Sequence, residues 1–292
     1  MRSRIAVGTS VTTHRLERNG ATLFYDIVGD GRPMVVVPGG PGFGSAYLRD
    51  TLGLGADDRR LIFVDQRGSG RSTGCEHPGL LTMSVFVDDL DAVRAELGHD
   101  RIDLVGHSFG GLQSLYYALL HENRVRSLIL IESDPPTFQE WIRFHEVLAT
   151  RSSDERDQLL ATIESRSDWQ NDPDALEAYF RAHLQPYFGC REHASSVRFG
   201  FEAGSLEKMT IVARAVRGDL GEWDITAALG RLTTPALIVY GTRSIFPSSA
   251  VLSMKQSLPH GRLEMMEGVG HFPFVENPTA FSRILQDFLA TL

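Results

Sequence analysis

The feature that most constrains this chain is the turn at residues 106–110 (GHSFG), which lies between a strand-like run and a helix-like run. Residues 102–105 are suited to a strand covered on both faces, as in a parallel sheet, and residues 112–120 follow with helical spacing. A serine between glycines at such a junction is typical of a nucleophile elbow, because the glycines permit a strained turn that lifts the hydroxyl above the sheet. The alternative is a glycine-rich turn with a solvent-exposed serine. The context favours the elbow and makes Ser108 a candidate nucleophile.

The same alternation of strands and helices runs through both ends of the chain. Apolar runs predict further buried strands at 34–37, 60–64, 125–131, 236–240 and 262–266. The pair Asn19-Gly20 predicts a β-hairpin between two earlier strands. From residue 134 to 224 the alternation stops, and the sequence is helical and rich in aromatic residues. The chain therefore predicts an α/β fold with a core of residues 1–133 and 225–292, interrupted by a helical segment of residues 134–224.

Composition excludes several classes of function. The chain has 29 Lys and Arg against 37 Asp and Glu, a net charge of −8, and so lacks the basic surface that nucleic-acid binding requires. Its apolar runs fall far short of the roughly 20 residues that span a bilayer, and its N-terminus does not read as a signal peptide. Cys75 and Cys190 cannot form a disulfide framework, and Cys190 and His193 lack a partner pair for zinc. We expect a cytoplasmic protein that binds neither membrane nor nucleic acid and has no metal or cofactor.

Four segments match the motifs of one enzyme family. They are residues 39–42 (GGPG), residues 65–72 (DQRGSGRS), the elbow around Ser108 and residues 223–226 (WDIT). Together they resemble the proline iminopeptidase family of the α/β-hydrolase superfamily, over nearly the whole core. The resemblance implies a mostly parallel eight-stranded sheet with a helical cap inserted after the sixth strand, which residues 134–224 fit. One departure is Pro38, where the family usually has His before the two glycines.

The resemblance also suggests the remaining site residues. In α/β-hydrolases the glycine loop after the first buried strand supplies an oxyanion donor, which here points to the N–H of Gly40, beside that of Phe109. The general base comes last in the chain order, so His271, after the final strand, is the candidate. His107 is expected to point away from the serine, and Asp65 to fix its own turn.

The triad acid departs from the family pattern. After the strand at 236–240 the family reads Gly-x-x-Asp, whereas this chain ends that motif at Ser244, and a serine cannot stabilise an imidazolium by charge. Glu132 ends the strand before the helical segment, a position similar to that of a catalytic Glu in haloalkane dehalogenases. A buried carboxylate there is costly unless it has a partner such as His271. The alternative is a structural carboxylate paired with an arginine, and Asp134 is the fallback acid.

These residues predict a serine hydrolase that cleaves an ester, lactone or amide bond of a small molecule or short peptide through a Ser-His-Glu triad. Two other interpretations remain: an acyltransferase or cyclase on the same scaffold, and a binding protein that has lost turnover. The oligomeric state is left open.

The family resemblance implies removal of an N-terminal proline, which requires acids in the cap to bind the substrate ammonium. Glu177, Glu202 and Glu207 lie in the cap segment but match none of the family's amine-binding positions, and solvated helix faces explain them equally well. Eight aromatic residues of the cap segment indicate either an apolar pocket or the cap's own core. They are Trp141, Phe144, Tyr179, Phe180, Tyr187, Phe188, Phe199 and Phe201.

Overall fold

A computed structural model describes residues 10–49, 52 and 59–292, with an eight-stranded sheet at its centre. The strands are β1 (Val11–Arg18), β2 (Ala21–Val28), β3 (Arg32–Val37), β4 (Arg59–Val64), β5 (Ile102–His107), β6 (Val125–Ile131), β7 (Ala236–Gly241) and β8 (Gly261–Met266). Their order across the sheet is β1-β2-β4-β3-β5-β6-β7-β8. β2 pairs antiparallel with β1 and β4, and the pairs from β4 to β8 are parallel. The predicted mostly parallel sheet is confirmed.

The sheet begins with the hairpin that the sequence predicted. Asn19 and Gly20 both have positive φ, 40° and 76°, as the tight turn that matches strand twist requires. The buried guanidinium of Arg67 donates to the carbonyl oxygens of Arg18 and Asn19, and it makes a two-point ion pair with Asp89 at 2.8 Å. The arginine of the family motif therefore ties this hairpin turn to the first long helix of the core.

Helices cover both faces of the sheet, which explains why the central strands are apolar on both sides. In chain order the helices are α1 (Ala46–Arg49), α2 (Met83–Glu96), α3 (Phe109–His121), α4 (Phe138–Ile142), α5 (Phe144–Ala149), α6 (Asp154–Glu164), α7 (Pro173–His183), α8 (Ser205–Leu220), α9 (Thr226–Leu229), α10 (Ser248–Ser257), α11 (Pro273–Glu276) and α12 (Pro278–Leu289). Two hydrophobic clusters result, and alternate residues of β3 belong to different ones. Val35 and Val37 lie in the first cluster, and Met34 and Val36 lie in the second.

Helices α4 to α8 all follow β6 and precede β7, so the helical insertion comes after the sixth strand, as predicted. Its two ends meet: Thr137 and Asp224 form an antiparallel bridge, and the N–H of Phe138 donates to the carbonyl oxygen of Trp223 at 2.8 Å. We call residues 136–138 and 223–225 the neck. The division of the chain into domains at residues 134 and 224 stays a prediction.

The sequence of the insertion predicts helices at residues 138–149, 154–164 and 173–188, and the structure breaks the first and shortens the last. Residues 138–149 form two helices, with Arg143 between them. The helix that begins at Pro173 ends at His183, and a 3-10 turn, Gln185–Tyr187, follows it. Pro186 explains this end, because a proline has no N–H to continue the hydrogen bonds of an α-helix and its ring clashes with the preceding turn.

The structure also describes the two cysteines, groups of possible metal ligands and the lengths of the apolar helices. Cys75 and Cys190 are free thiols. In the described ranges, no group of three His, Cys, Asp or Glu side chains is arranged to hold a metal ion. No helix there is both long and apolar enough to cross a bilayer. Cytoplasmic localisation stays a prediction.

Candidate active site

Ser108 stands at the sharp turn between β5 and α3. Its backbone has φ 54° and ψ −125°, a conformation that is strained for any residue with a Cβ. The flanking glycines make the turn possible. A Cβ on Gly106 would lie 2.3 Å from the carbonyl oxygen of Gly110, and a Cβ on Gly110 would lie 2.3 Å from that of Val37. The strained backbone persists because the sheet and α3 are packed too closely to allow another path.

The glycine loop lies directly against this serine. A Cβ on Gly39 would come within 2.9 Å of the Cβ of Ser108. Gly40 lines the cavity above the serine and has φ 122°, where a Cβ would meet the amide nitrogen of Gly42 at 2.5 Å. Phe109 begins α3, so its N–H is among the helix's first amides, which have no partner within the helix. Both predicted oxyanion donors thus adjoin Ser108, and their role stays a prediction.

Glu132 and His271 meet at the carboxyl edge of the sheet. Glu132 follows β6, is fully buried and also has a positive φ of 45°. Its Oε2 lies 3.2 Å from Nδ1 of His271 and accepts a 2.6 Å hydrogen bond from the hydroxyl of Ser244, while its Oε1 accepts one of 2.6 Å from the N–H of Gly241. Ser244, which stands where the family has its acid, therefore donates to the carboxylate that faces the histidine.

Burial is the strongest electrostatic influence on this pair. It raises the pKa of Glu132 to about 8, against the hydrogen bonds to its carboxylate and the positive charge of Arg151. Burial likewise lowers the pKa of His271, with the negative charge of Asp134 opposing. Arg151 is held near the pair by a 2.8 Å bond to the carbonyl oxygen of Ser244. The buried pair therefore resists carrying charge, and its charged forms depend on these neighbours.

The loop that carries His271 is tied to the inserted helices. The N–H of His271 donates to the carbonyl oxygen of Tyr187 at 2.7 Å. The buried carboxylate of Glu276 accepts from the N–H of Gly270 at 2.9 Å and from that of Gly189 at 2.8 Å. The position of the candidate base therefore depends on the insertion as well as on the sheet.

A second chain of hydrogen bonds joins the glycine loop, the elbow and the histidine loop. The N–H of Gly39 donates to Oη of Tyr47 at 2.8 Å, and Oη lies 2.7 Å from Nδ1 of His107. Nε2 of His107 lies 2.9 Å from the carbonyl oxygen of His271, which can only accept. Nε2 must therefore carry the proton, and Nδ1 accepts from the tyrosine hydroxyl. Both ring nitrogens bond away from Ser108, as expected, and burial lowers the pKa of His107 well below its usual value.

Asp134, the fallback acid, pairs with an arginine instead. Its Oδ2 lies 3.1 Å from Nη2 of Arg217, and its N–H donates to the carbonyl oxygen of Ser108 at 3.0 Å. Burial raises the pKa of its carboxyl group, while Arg217 and a hydrogen bond from the Ser108 side chain oppose that shift. Because Nδ1 of His271 faces Glu132, the geometry favours Glu132 over Asp134 as its partner. Asp65 has a structural role, accepting from both Ser45 and Arg71.

A cavity of about 310 Å³ opens above Ser108, between the sheet edge and the insertion. Of the eight aromatic residues that the sequence placed in either a pocket or the core of the cap, four line this cavity: Trp141, Phe144, Phe180 and Tyr187. The other half pack into the protein, as shown by the stacked pairs Phe199–Phe201 and Phe188–Phe272 and the contact of Tyr179 with Trp169. The cavity is therefore mainly aromatic and apolar, and its polar lining includes Ser108, Asp134 and His271.

The three acids considered for amine binding lie elsewhere. Oε1 of Glu177 accepts from the backbone N–H groups of residues 199–201 at 2.7–3.4 Å, so its carboxylate organises a turn. Among the residues that the structure describes, neither it nor Glu202 nor Glu207 lines the cavity over Ser108. Asp134 is the carboxylate there.

Sequence reasoning missed four residues that shape the site, Tyr47, Arg151, Arg217 and Glu276. The first three reach it from helices or loops far away in the chain, so no local motif marks them. Glu276 had a signal, because it follows His271 by five positions in the run HFPFVE.

Comparisons with known proteins agree with this architecture. The family model for the alpha/beta hydrolase fold matches residues 32–278. The proline iminopeptidase of Lactobacillus crispatus is 29% identical over 92% of this chain and 95% of its own, and that of Saccharolobus solfataricus is 26% identical over 91% and 87%. A crystal structure of the proline iminopeptidase of Mycobacterium smegmatis superimposes with a TM-score of 0.73 at 22% identity, covering 96% of this chain and 98% of that one. The chain therefore belongs to the alpha/beta hydrolase family and is a proline iminopeptidase-like member of it, an enzyme of the hydrolase class.

Proposed function

We propose that this hydrolase cleaves an ester, lactone or amide bond of a small molecule or short peptide, with Ser108 as nucleophile, His271 as general base and Glu132 as the acid that orients the base. The observation that carries the proposal is the 3.2 Å approach of Oε2 of Glu132 to Nδ1 of His271, at the sheet edge where Ser108 stands. A proton on Nδ1 leaves Nε2 free to accept the serine proton.

The reaction follows from these positions. The hydroxyl oxygen of Ser108 attacks the carbonyl carbon while Nε2 of His271 takes its proton, and the carbonyl electron pair moves onto oxygen. The N–H groups of Gly40 and Phe109 stabilise that oxyanion, since the N–H of Gly39 is already bonded to Tyr47. The imidazolium then protonates the leaving group as its bond to carbon breaks. Water, deprotonated by the same histidine, releases the acid product and restores the serine.

Glu132 acts on this cycle by charge. As His271 takes a proton, the carboxylate faces the new imidazolium across one hydrogen bond in a buried site. The bonds from Ser244 and Gly241 hold both carboxylate oxygens in place, so little reorganisation accompanies the proton transfer.

A second candidate is a proline iminopeptidase-type aminopeptidase, which the names of the relatives favour. Such a substrate brings a charged amine next to its scissile carbonyl. Asp134 is the carboxylate at that place, and it is already paired with Arg217. This pairing ranks hydrolysis of uncharged acyl compounds above the aminopeptidase.

The proposal is tested by labelling the protein with a fluorophosphonate and by measuring p-nitrophenyl ester hydrolysis. We expect a single labelled serine and turnover, both lost in Ser108→Ala. The matched control is Ser114→Ala, which removes a nearby buried serine on α3 that bonds to the carbonyl oxygen of Gly110. A panel of esters, lactones and proline arylamides then identifies the bond that is cleaved. Labelling or turnover that survives Ser108→Ala would contradict the proposal.

A further inference from the structure

We infer that Arg217 determines which substrate charge this site accepts. Because it neutralises Asp134, the enzyme selects acyl compounds without a charged amine beside the scissile carbonyl. The inference rests on the proposed function and names the substrate class of the same site. Its starting point is the ion pair of 3.1 Å between Nη2 of Arg217 and Oδ2 of Asp134, next to Ser108.

Arg217 is held firmly in this position. It projects from α8, and its guanidinium carbon lies 4.1 Å from the ring centroid of Trp141, 5.3 Å from that of Phe109 and 5.8 Å from that of Trp223. Arginine on aromatic faces at these distances is stabilised by the ring quadrupoles. The three rings come from the start of the insertion, the start of α3 and the neck. The cation is therefore fixed by packing as well as by its carboxylate.

The charges around the cavity then balance. Among its described lining residues, Asp134 is the carboxylate and Arg217 is the cation, while the remaining titratable side chains are His107, His183, His271 and tyrosines. Burial lowers the pKa of all three histidines, which keeps them uncharged. A substrate ammonium placed near Ser108 meets the guanidinium at close range and finds Asp134 already occupied, so its lost hydration is not replaced.

Removal of Arg217 should reverse this selectivity against charged amines. Without the guanidinium, the buried Asp134 beside Ser108 loses its counterion, and burial then favours its neutral form until another cation binds there. A substrate ammonium then supplies the missing charge. Arg217→Met should therefore strengthen binding of amine-bearing substrates in particular, and Arg217→Lys should not, because it keeps a cation at this place.

The test measures binding in Ser108→Ala protein, so that its result does not depend on turnover. The two ligands are proline benzyl ester and benzyl cyclopentanecarboxylate, which share a five-membered ring and differ in the charged nitrogen. With Arg217 present, we expect the neutral ester to bind at least about tenfold more tightly, a difference of about 1.4 kcal/mol. In Arg217→Met, the dissociation constant of proline benzyl ester should fall at least about tenfold relative to that of the neutral ester. In Arg217→Lys, the ratio of the two dissociation constants should stay within about threefold of its value with Arg217.

The double variant Arg217→Met with Asp134→Asn assigns the effect. We expect it to lose the gain in amine binding, because the carboxylate that receives the ammonium is gone. Arg217→Gln gives a second uncharged replacement, and circular dichroism confirms that each protein folds. The inference is overturned if Arg217→Met and Arg217→Gln weaken or strengthen both ligands equally, or if protein with Arg217 prefers the amine. Failure of the proposed function shows separately, as absent ester hydrolysis in protein that retains Ser108.

Discussion

Replacing Glu132 by Gln tests the central step of the mechanism, because it removes the charge and keeps the shape of the side chain. In the transition state His271 becomes an imidazolium 3.2 Å from this carboxylate. At an effective dielectric constant of about 20, two unit charges at that separation attract by about 5 kcal/mol. Each 1.36 kcal/mol is tenfold in rate, so we expect kcat to fall by about 10³ to 10⁴.

The assay is p-nitrophenyl ester hydrolysis, with kcat and KM measured separately. KM should change little, since the fully buried Glu132 is not among the side chains that line the described cavity. Asp134→Asn is the matched control, a second buried carboxylate close to the same histidine, and it should cost kcat less. A loss of under tenfold in Glu132→Gln, or a larger loss in Asp134→Asn, would refute the assignment of the acid.

A compensating change sharpens this test. Ser244 bonds to the same carboxylate oxygen that faces His271, so that one oxygen separates its hydroxyl from the imidazole, and an Asp side chain at position 244 is one atom longer. Ser244→Asp introduced into Glu132→Ala should therefore recover at least about tenfold of the lost kcat. In protein that keeps Glu132, the same change brings two carboxylates together and should lower activity. If the double variant is no faster than Glu132→Ala, then position 244 cannot supply the charge.

Three further outcomes are expected. The active form needs Glu132 ionised and His271 neutral, and burial raises the pKa of Glu132 to about 8. We therefore expect kcat/KM to rise with pH through an apparent pKa above 6.5, and an apparent pKa at or below 6.5 would contradict this. Ser244→Ala removes a hydrogen bond to the carboxylate and should raise that apparent pKa further. Tyr47→Phe breaks the hydrogen bonds between the glycine loop and the elbow and should lower kcat about tenfold, with KM nearly unchanged in the same ester assay; an unchanged kcat argues against a positioning role. Gly110→Ala puts a Cβ 2.3 Å from a β3 carbonyl oxygen and should lower the thermal midpoint by at least about 5 °C in a calorimetric scan, or prevent folding; a wild-type midpoint would show that the elbow relaxes.

The fold was predictable from local patterns because each element of the core carries its own signal. The turn at Asn19-Gly20 requires positive φ at both residues, and the elbow glycines lie where a Cβ would collide with backbone, so these positions mark the structure in the sequence itself. The insertion was less predictable. Its helices break at Arg143 and just before Pro186, and the pattern of apolar residues alone does not mark these breaks.

The candidate site was predictable only where it follows the chain order of strands. Ser108, Glu132 and His271 each follow a strand of the parallel sheet, and the carboxyl ends of parallel strands share one edge. Arg217 has no such constraint, because its contacts come from the packing of α8 over Trp141 and the neck. The serine at position 244, where the family has its acid, pointed to another candidate carboxylate, but did not indicate that this serine would donate to Glu132.

The neck has a consequence for how such an enzyme diversifies. The two ends of the insertion lie side by side, joined by the bridge between Thr137 and Asp224, so the chain enters and leaves the insertion at one place. Part of the cavity wall, including Trp141 and Arg217, is encoded in that one uninterrupted stretch, while the candidate triad of Ser108, Glu132 and His271 is encoded outside it. Exchange of that gene segment between relatives would therefore change part of the cavity wall in one step. It would keep the position of His271 only where the new segment repeats the contacts that Tyr187 and Gly189 make with the histidine loop.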